Sequence, residues 1–199
     1  MFEVADYIGI IAFSMSGFFV ATRNHLDLLG VLIATFLTAL GGGIIRDITI
    51  NETPYTFSHS YPAIIVISVI TLMIIFKFHK KDSIENKLLF IISDSIGLIS
   101  FSISGALIAL AHDFYLTGIL ALSFITAVGG GIARDIIINE VPFVFKTGFY
   151  GTISLLIALA LYALNQVEMI STYTILTLFI VGVTVRIIAF YQKWSIPLK

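Results

Sequence analysis

The chain has 199 residues, of which 58% are hydrophobic and 12% are charged, and its mean hydropathy is +1.05. A soluble domain has roughly 45–50% apolar and about 25% charged residues, so the apolar surplus in this chain must face lipid. The net charge of −1 does not favour a nucleic-acid partner, and the lack of cysteine excludes disulfides and thiolate metal sites. The composition therefore predicts an all-α polytopic membrane protein.

Seven apolar runs are long enough to cross a bilayer, whose core of about 30 Å needs about 20 helical residues. The first follows an acidic segment where a signal peptide would be basic, so we expect a retained span. The connections are short, which predicts a single transmembrane domain over residues 1–199. The predicted spans cover about residues 4–22, 27–48, 61–77, 88–110, 115–138, 148–164 and 170–190.

Lysine and arginine in the short loops predict the orientation, because they accumulate on the cytoplasmic side. If the N-terminus is outside, the outer segments contain none of these residues. The sequence therefore predicts an outer N-terminus and a cytoplasmic C-terminus. The inner segments then contain Arg23, Lys77, Lys80, Lys81, Lys87, Lys146, Lys193 and Lys199.

An internal repeat organises the chain. Residues 6–57 align without a gap to residues 94–145 at an offset of 88, with 27 of 52 positions identical. Three spans separate the starts of the two copies, so the second copy enters the membrane from the opposite face. The sequence predicts an inverted repeat, with repeat 1 at about 4–80, repeat 2 at about 88–165 and an extra seventh helix at about 170–190. This symmetry is typical of transporters and some channels.

Both copies carry a glycine triplet inside an apolar helix. Each glycine weakens a helix by about 1 kcal/mol relative to alanine, and backbone groups bared in this way must face protein or water. One interpretation is a broken helix in spans 2 and 5 whose freed carbonyl groups line a solute path. The alternative is close packing of helices through small residues. The six residues are Gly41, Gly42, Gly43, Gly129, Gly130 and Gly131.

An Arg-Asp pair follows each triplet: Arg46 with Asp47, and Arg134 with Asp135. Ionisable groups within spans usually face the bundle interior or water. The pairs are candidates for gates or solute contacts at the two mouths of the path. They are equally well explained as local ion pairs that fix the helix ends. We expect the Asn-Glu-x-Pro motif after each pair to be a structural turn.

Four serines lie two residues apart in spans 1 and 4, namely Ser14, Ser16, Ser102 and Ser104. Their hydroxyl groups are candidate ligands for a dehydrated cation, or they bond a carbonyl group of their own helix. We expect Asp6 and Asp94 to cap the starts of these two spans, and Arg186 to anchor span 7 at the inner interface. No spacing of histidines suits a metal and no nucleophile motif is present, so we expect neither an enzyme nor a cofactor.

The doubled Gly-Gly-Gly-x-x-Arg-Asp motif in a three-plus-three-plus-one arrangement resembles the prokaryotic TRIC family. Its members are homologues of trimeric intracellular cation channels and are also catalogued as "glycine transporter" membrane proteins. The resemblance extends over nearly the whole chain. It implies a homotrimer with one pore in each subunit, spans 2 and 5 kinked at the glycine triplets, and potassium passing between the repeats.

The leading hypothesis is a potassium-conducting monovalent cation channel in a prokaryotic plasma (inner) membrane. Its partners would be the permeating cation, membrane lipids and further copies of the chain, with no nucleic acid and no metal beyond the transient monovalent cation. Glycine carbonyl and serine hydroxyl groups are suitable neutral ligands for that cation. The alternative is a secondary transporter of a small zwitterion such as glycine, because guanidinium binds a carboxylate and carboxylate binds an ammonium group.

Overall fold

The computed structural model describes residues 2–80, 84–146 and 149–194, so Lys81 and Lys199 of the orientation argument lie outside the described residues. Within these ranges the chain forms α-helices and turns, with one turn of 3₁₀-helix at Phe78–Lys80 and no strand. The helices are α1 (Phe2–Arg23), α2 (Leu28–Thr49), α3 (Tyr55–Ser58), α4 (Tyr61–Ile75), α5 (Ile84–Ala111), α6 (Leu116–Ile137), α7 (Phe143–Lys146), α8 (Gly151–Gln166) and α9 (Thr172–Tyr191).

Seven of these helices correspond to the predicted spans. Helices α1, α2, α5, α6 and α9 are long and apolar enough to cross a membrane. Helices α4 and α8 have 15 and 16 residues, which is slightly shorter than predicted: α4 begins at Tyr61 as predicted but ends at Ile75, and α8 runs from Gly151 to Gln166. Each is preceded by a separate four-residue helix, α3 or α7. The predicted fold class is confirmed.

The Asn-Glu-x-Pro motifs form the turns that end α2 and α6. Asn51 and Asn139 adopt left-handed backbone conformations, with φ of 61° and 59°. This conformation is available to asparagine more readily than to most residues. The backbone amide of the glutamate that follows each asparagine donates to a carbonyl group of the preceding helix: Glu52 N to Asp47 O at 2.9 Å, and Glu140 N to Asp135 O at 2.8 Å. The prediction of a structural turn is confirmed.

The two repeats interlock instead of lying side by side. Helix α1 packs most extensively against α5, and α2 packs most extensively against α6. The Phe101 ring covers Gly9, and the Phe13 ring covers Gly97 at the equivalent position 88 residues away. These two rings meet edge to face, with their centroids 5.3 Å apart. We call the two Phe-Gly contacts the reciprocal lock.

The glycine triplets are the crossing point of α2 and α6. A Cβ atom on Gly130 would lie 2.5 Å from the carbonyl oxygen of Thr38 and 2.7 Å from that of Leu37. A Cβ atom on Gly42 would overlap the carbonyl oxygen of Thr126. Both helices nevertheless continue through their triplets without interruption. The broken-helix interpretation is therefore wrong, because missing side chains here let two intact helices touch at their backbones.

Candidate functional site

A cavity of about 370 Å³ opens at the face where α1 begins. Its walls come from the start of α1, the end of α2, α3 and the turn between α5 and α6. We call this cavity the vestibule. Its ionisable lining residues are Glu3, Asp6, Arg46, Asp47, Glu52, His59 and His112, with Tyr7 and Tyr55 beside them.

Arg46 lies at the base of the vestibule and is fully engaged. Its Nη1 atom donates to Asp6 Oδ1 at 2.8 Å and to Ser104 Oγ at 2.9 Å, while Nε donates to Asp47 Oδ1 at 2.8 Å. Asp6 therefore pairs with a cation 40 residues away, and the prediction that it caps a helix is wrong. Since one guanidinium faces Asp6, Asp47, Glu3 and Glu52, the vestibule is acidic.

The aspartates of the two Arg-Asp pairs each hold a short helix in place. Asp47 Oδ2 accepts a hydrogen bond at 2.9 Å from the backbone amide of Tyr55, the first residue of α3. Asp135 Oδ2 accepts a hydrogen bond at 2.7 Å from the backbone amide of Phe143, the first residue of α7. The same carboxylates pair with Arg46 and Arg134. These contacts match the structural interpretation of the pairs, and Arg46 and Asp47 also line the vestibule.

A second polar cluster lies around Asp94, ten residues into α5, so the prediction that Asp94 caps this helix is wrong. Ser16 Oγ donates to Asp94 Oδ1 at 3.1 Å, and the Tyr150 side chain lies beside this carboxylate. Arg134 and Arg186 both lie within electrostatic reach of it. We call these residues the Asp94 cluster.

Arg186 is buried, with 2% of its surface exposed, so the prediction of an interfacial anchor is wrong. Its guanidinium carbon lies 4.7 Å from the centroid of the Tyr150 ring, a cation–π contact. Its Nε atom has no hydrogen-bond partner among the described residues. Helix α9 packs on α5 and α8, both in repeat 2, and thereby brings a second guanidinium to Asp94.

The four candidate serines are committed to contacts within the protein. Ser14 donates to Ile10 O at 2.6 Å and Ser102 to Leu98 O at 2.7 Å, which matches the alternative that they bond their own helices. Ser16 and Ser104 contact Asp94 and Arg46. Of the six triplet glycines, Gly43 lines the vestibule, whereas Gly42 and Gly130 face the opposite helix.

Tyr55 and Glu140, which both lie outside the spans, have perturbed pKa values. The hydrogen bond between the hydroxyl groups of Tyr55 and Tyr7, at 3.1 Å, raises the pKa of Tyr55 to about 12. Lys146 donates to Glu140 at 3.0 Å and lowers the pKa of that carboxyl group. The Tyr55 ring also stacks on His59, with centroids 3.9 Å apart.

The sequence does not reveal the partners of the ionisable residues in the spans. Asp6, Asp94 and Arg186 were assigned to helix ends, but each joins a polar cluster inside the bundle. The available signal was their position: Asp6 and Asp94 are repeat equivalents, and an identical ionisable residue in both copies of an apolar span indicates a buried partner.

Comparison with known proteins identifies relatives over the whole chain. The family model described as "Glycine transporter" matches residues 3–80 and 91–166, which correspond to the two repeats. A UPF0126 membrane protein of Bacillus subtilis, YvgT, is 33% identical over 195 residues, covering 98% of this chain and 95% of that protein.

Solved structures of TRIC channels are similar to this chain over nearly its whole length. A structure from work on conductance through TRIC cation channels has 31% identity and a TM-score of 0.84, covering 100% of this chain and 97% of that chain. A prokaryotic TRIC channel crystallised in 0.5 M KCl has 26% identity and a TM-score of 0.88, covering 98% of both chains. These neighbours confirm the expected resemblance and the prediction that the chain is not an enzyme.

Proposed function

Because this chain belongs to the UPF0126, or "Glycine transporter", family and has the fold of prokaryotic TRIC channels, we propose that it is a cation channel of a bacterial inner membrane. We propose potassium as the permeating ion. The path runs within each subunit, from the vestibule along the contact between the repeats to the Asp94 cluster.

The acidic vestibule is the observation that carries this proposal. Asp6, Asp47, Glu3 and Glu52 face one arginine, and that arginine is neutralised by the two aspartates it contacts. Clefts lined by one sign of charge concentrate counter-ions, so this mouth favours cations over anions. Buried Arg46 lies at the base of the cavity and pairs with the two aspartates, so it does not neutralise Glu3 and Glu52.

The structure supports weak cation binding better than a tight binding site. No group of three or more histidine, aspartate or glutamate side chains that would suit a metal ion occurs among the described residues. Rapid conduction requires sites that a cation leaves as readily as it enters. An acidic vestibule without a ligand cage meets that requirement.

Planar-bilayer recording with the purified protein tests the proposal. Under a KCl gradient we expect discrete current steps with a reversal potential near that of potassium. Saturable uptake of labelled glycine into liposomes without unitary currents would instead establish the carrier alternative. Ion substitution by sodium and by a large organic cation then measures the selectivity.

A matched pair of variants tests whether the vestibule is the entrance. Glu3→Gln removes one lining carboxylate, whereas Glu168→Gln removes an exposed carboxylate from the turn between α8 and α9. We expect the first to reduce potassium current more at low ionic strength, where screening is weak, and the second to leave it unchanged. Equal effects would place the entrance elsewhere.

We also propose that the channel is a homotrimer with its N-terminus outside. Lipid and neighbouring copies would together cover the exposed apolar side chains of α4 and α9, such as Ile64, Ile67, Leu176 and Ile180. The mass of the detergent-solubilised protein, measured by light scattering with the detergent contribution subtracted, tests the assembly.

A further inference from the structure

The glutamates of the two Asn-Glu-x-Pro turns have different partners. Glu52 Oε1 lies 3.3 Å from His112 Nε2. Its repeat equivalent, Glu140, accepts a hydrogen bond from Lys146 at 3.0 Å, and the Asn24 side chain lies near it. His112 and Asn24 occupy the same position of the repeat, 88 residues apart. The inverted repeat therefore places a histidine at one mouth and an asparagine at the other.

The His112–Glu52 pair joins the two repeats at the rim of the vestibule. His112 belongs to the turn between α5 and α6 in repeat 2, and Glu52 to the turn after α2 in repeat 1. Both residues line the vestibule, and their side chains are 35% and 58% exposed. An ion entering the vestibule from solvent therefore passes a pair whose charge depends on pH.

The groups that face His112 are mostly acidic. Helix α1 contributes Glu3 and Asp6, the end of α2 contributes Arg46 with Asp47, and α3 contributes His59, which is stacked on Tyr55. Asp113 follows His112 in its own turn. With Arg46 held by the two aspartates, Glu3 and Glu52 supply the free negative charge of the rim.

We propose that protonation of His112 inhibits the channel from the vestibule side. This inference rests on the proposed channel function. Histidine is the side chain that ordinarily changes charge between pH 5 and 8. The neutral ring leaves the charge of Glu52 available to attract cations, whereas the imidazolium ion neutralises it and fastens the turns of the two repeats together. Lysine stays protonated throughout this range, so the Lys146–Glu140 pair at the other mouth does not switch.

The proposal is tested by acidifying one chamber of a planar bilayer at a time. The chain lacks cysteine, so Tyr115→Cys, at an 89% exposed position beside His112, identifies the vestibule side through a membrane-impermeant thiol reagent. Lowering that chamber from pH 8 to pH 5.5 should reduce the single-channel potassium current about two- to fivefold, the range that an exposed ion pair supports. The same change in the opposite chamber should have a smaller effect.

Variants are compared by the ratio of their own currents at the two pH values. In His112→Asn, which installs the residue of the other repeat, and in His112→Gln, the ratio should fall to about one. In His25→Asn, which changes an exposed histidine of the turn between α1 and α2 that does not line the vestibule, the ratio should stay as in the original chain. A pH effect that survives both His112 variants, or one of equal size from both sides, would overturn the inference. A chain that passes no current at pH 8 would instead refute the proposed function.

Discussion

The crossing of α2 and α6 makes a quantitative prediction about neighbouring glycines. Gly130→Ala places a methyl group 2.5–2.7 Å from two carbonyl oxygens of α2, whereas ordinary van der Waals contact begins at 3.4 Å. Gly131→Ala is the matched control, because its nearest neighbour is Arg134 Nη2 at 3.8 Å. Both substitutions add one methyl group at adjacent positions of the same helix.

The expected magnitudes follow from two opposing effects. Alanine stabilises a helix interior by about 1 kcal/mol relative to glycine, and this gain is common to both variants. Forcing extra volume into a packed contact costs about 1–3 kcal/mol, and only Gly130→Ala incurs this cost. The free energy of unfolding should therefore be lower for Gly130→Ala than for Gly131→Ala by about 1–3 kcal/mol.

Reversible unfolding in mixed detergent micelles, followed by circular dichroism, measures this difference. Gly42→Ala and Gly43→Ala form an independent pair in repeat 1, since Gly42 faces the Thr126 carbonyl and Gly43 has its nearest neighbour at 3.8 Å. Equal stabilities within both pairs would mean that the two backbones do not touch, and the packing account of the triplets would fail.

Three further predictions follow from the polar clusters and the loops. Arg46→Gln should lower the free energy of unfolding by about 3–5 kcal/mol, because it leaves buried Asp47 and partly buried Asp6 without their cation, and Asp6→Asn should cost less because Asp47 still pairs with Arg46. Arg186→Gln should destabilise the fold by less, about 1–3 kcal/mol, because it removes a buried cation–π contact with Tyr150 and a positive charge near Asp94, whereas exposed Arg23→Gln should stay within about 0.5 kcal/mol, again by detergent unfolding. For the orientation, an impermeant thiol reagent added to intact cells should label Met169→Cys and should fail to label Leu29→Cys. The native side chains at these two positions are 57% and 63% exposed. The reverse pattern would refute an outer N-terminus.

The architecture was predictable because its signals are local or periodic. An inverted bundle follows from three features of the sequence: the apolar runs, the repeat that aligns without a gap over 52 positions, and the odd number of spans between the starts of its two copies. The helix ends at Asn51 and Asn139 follow from turn chemistry within a few residues. None of these features depends on knowing which helices touch.

The site was less predictable because its contacts join residues far apart in the sequence. The triplets look like weak points until the partner helix is known, since Gly130 meets Thr38 across 92 positions. Asp6 meets Arg46 and Ser16 meets Asp94 in the same way. The second guanidinium near Asp94 was hidden for another reason: Arg186 lies on α9, which has no counterpart in the repeat and packs on repeat 2.

The reciprocal lock has a consequence for how the protein is made. Gly9 is covered by the ring of Phe101, which the ribosome adds 92 residues later, and Gly97, which the Phe13 ring covers, is added 84 residues after Phe13. At about 5–20 residues per second, the first three spanning helices, α1, α2 and α4, must stay inserted for several seconds or more without their partners in repeat 2. During that interval Arg46 lacks Ser104 and the bare backbone of α2 is unshielded. The nascent half is thus a natural client for insertases and membrane chaperones.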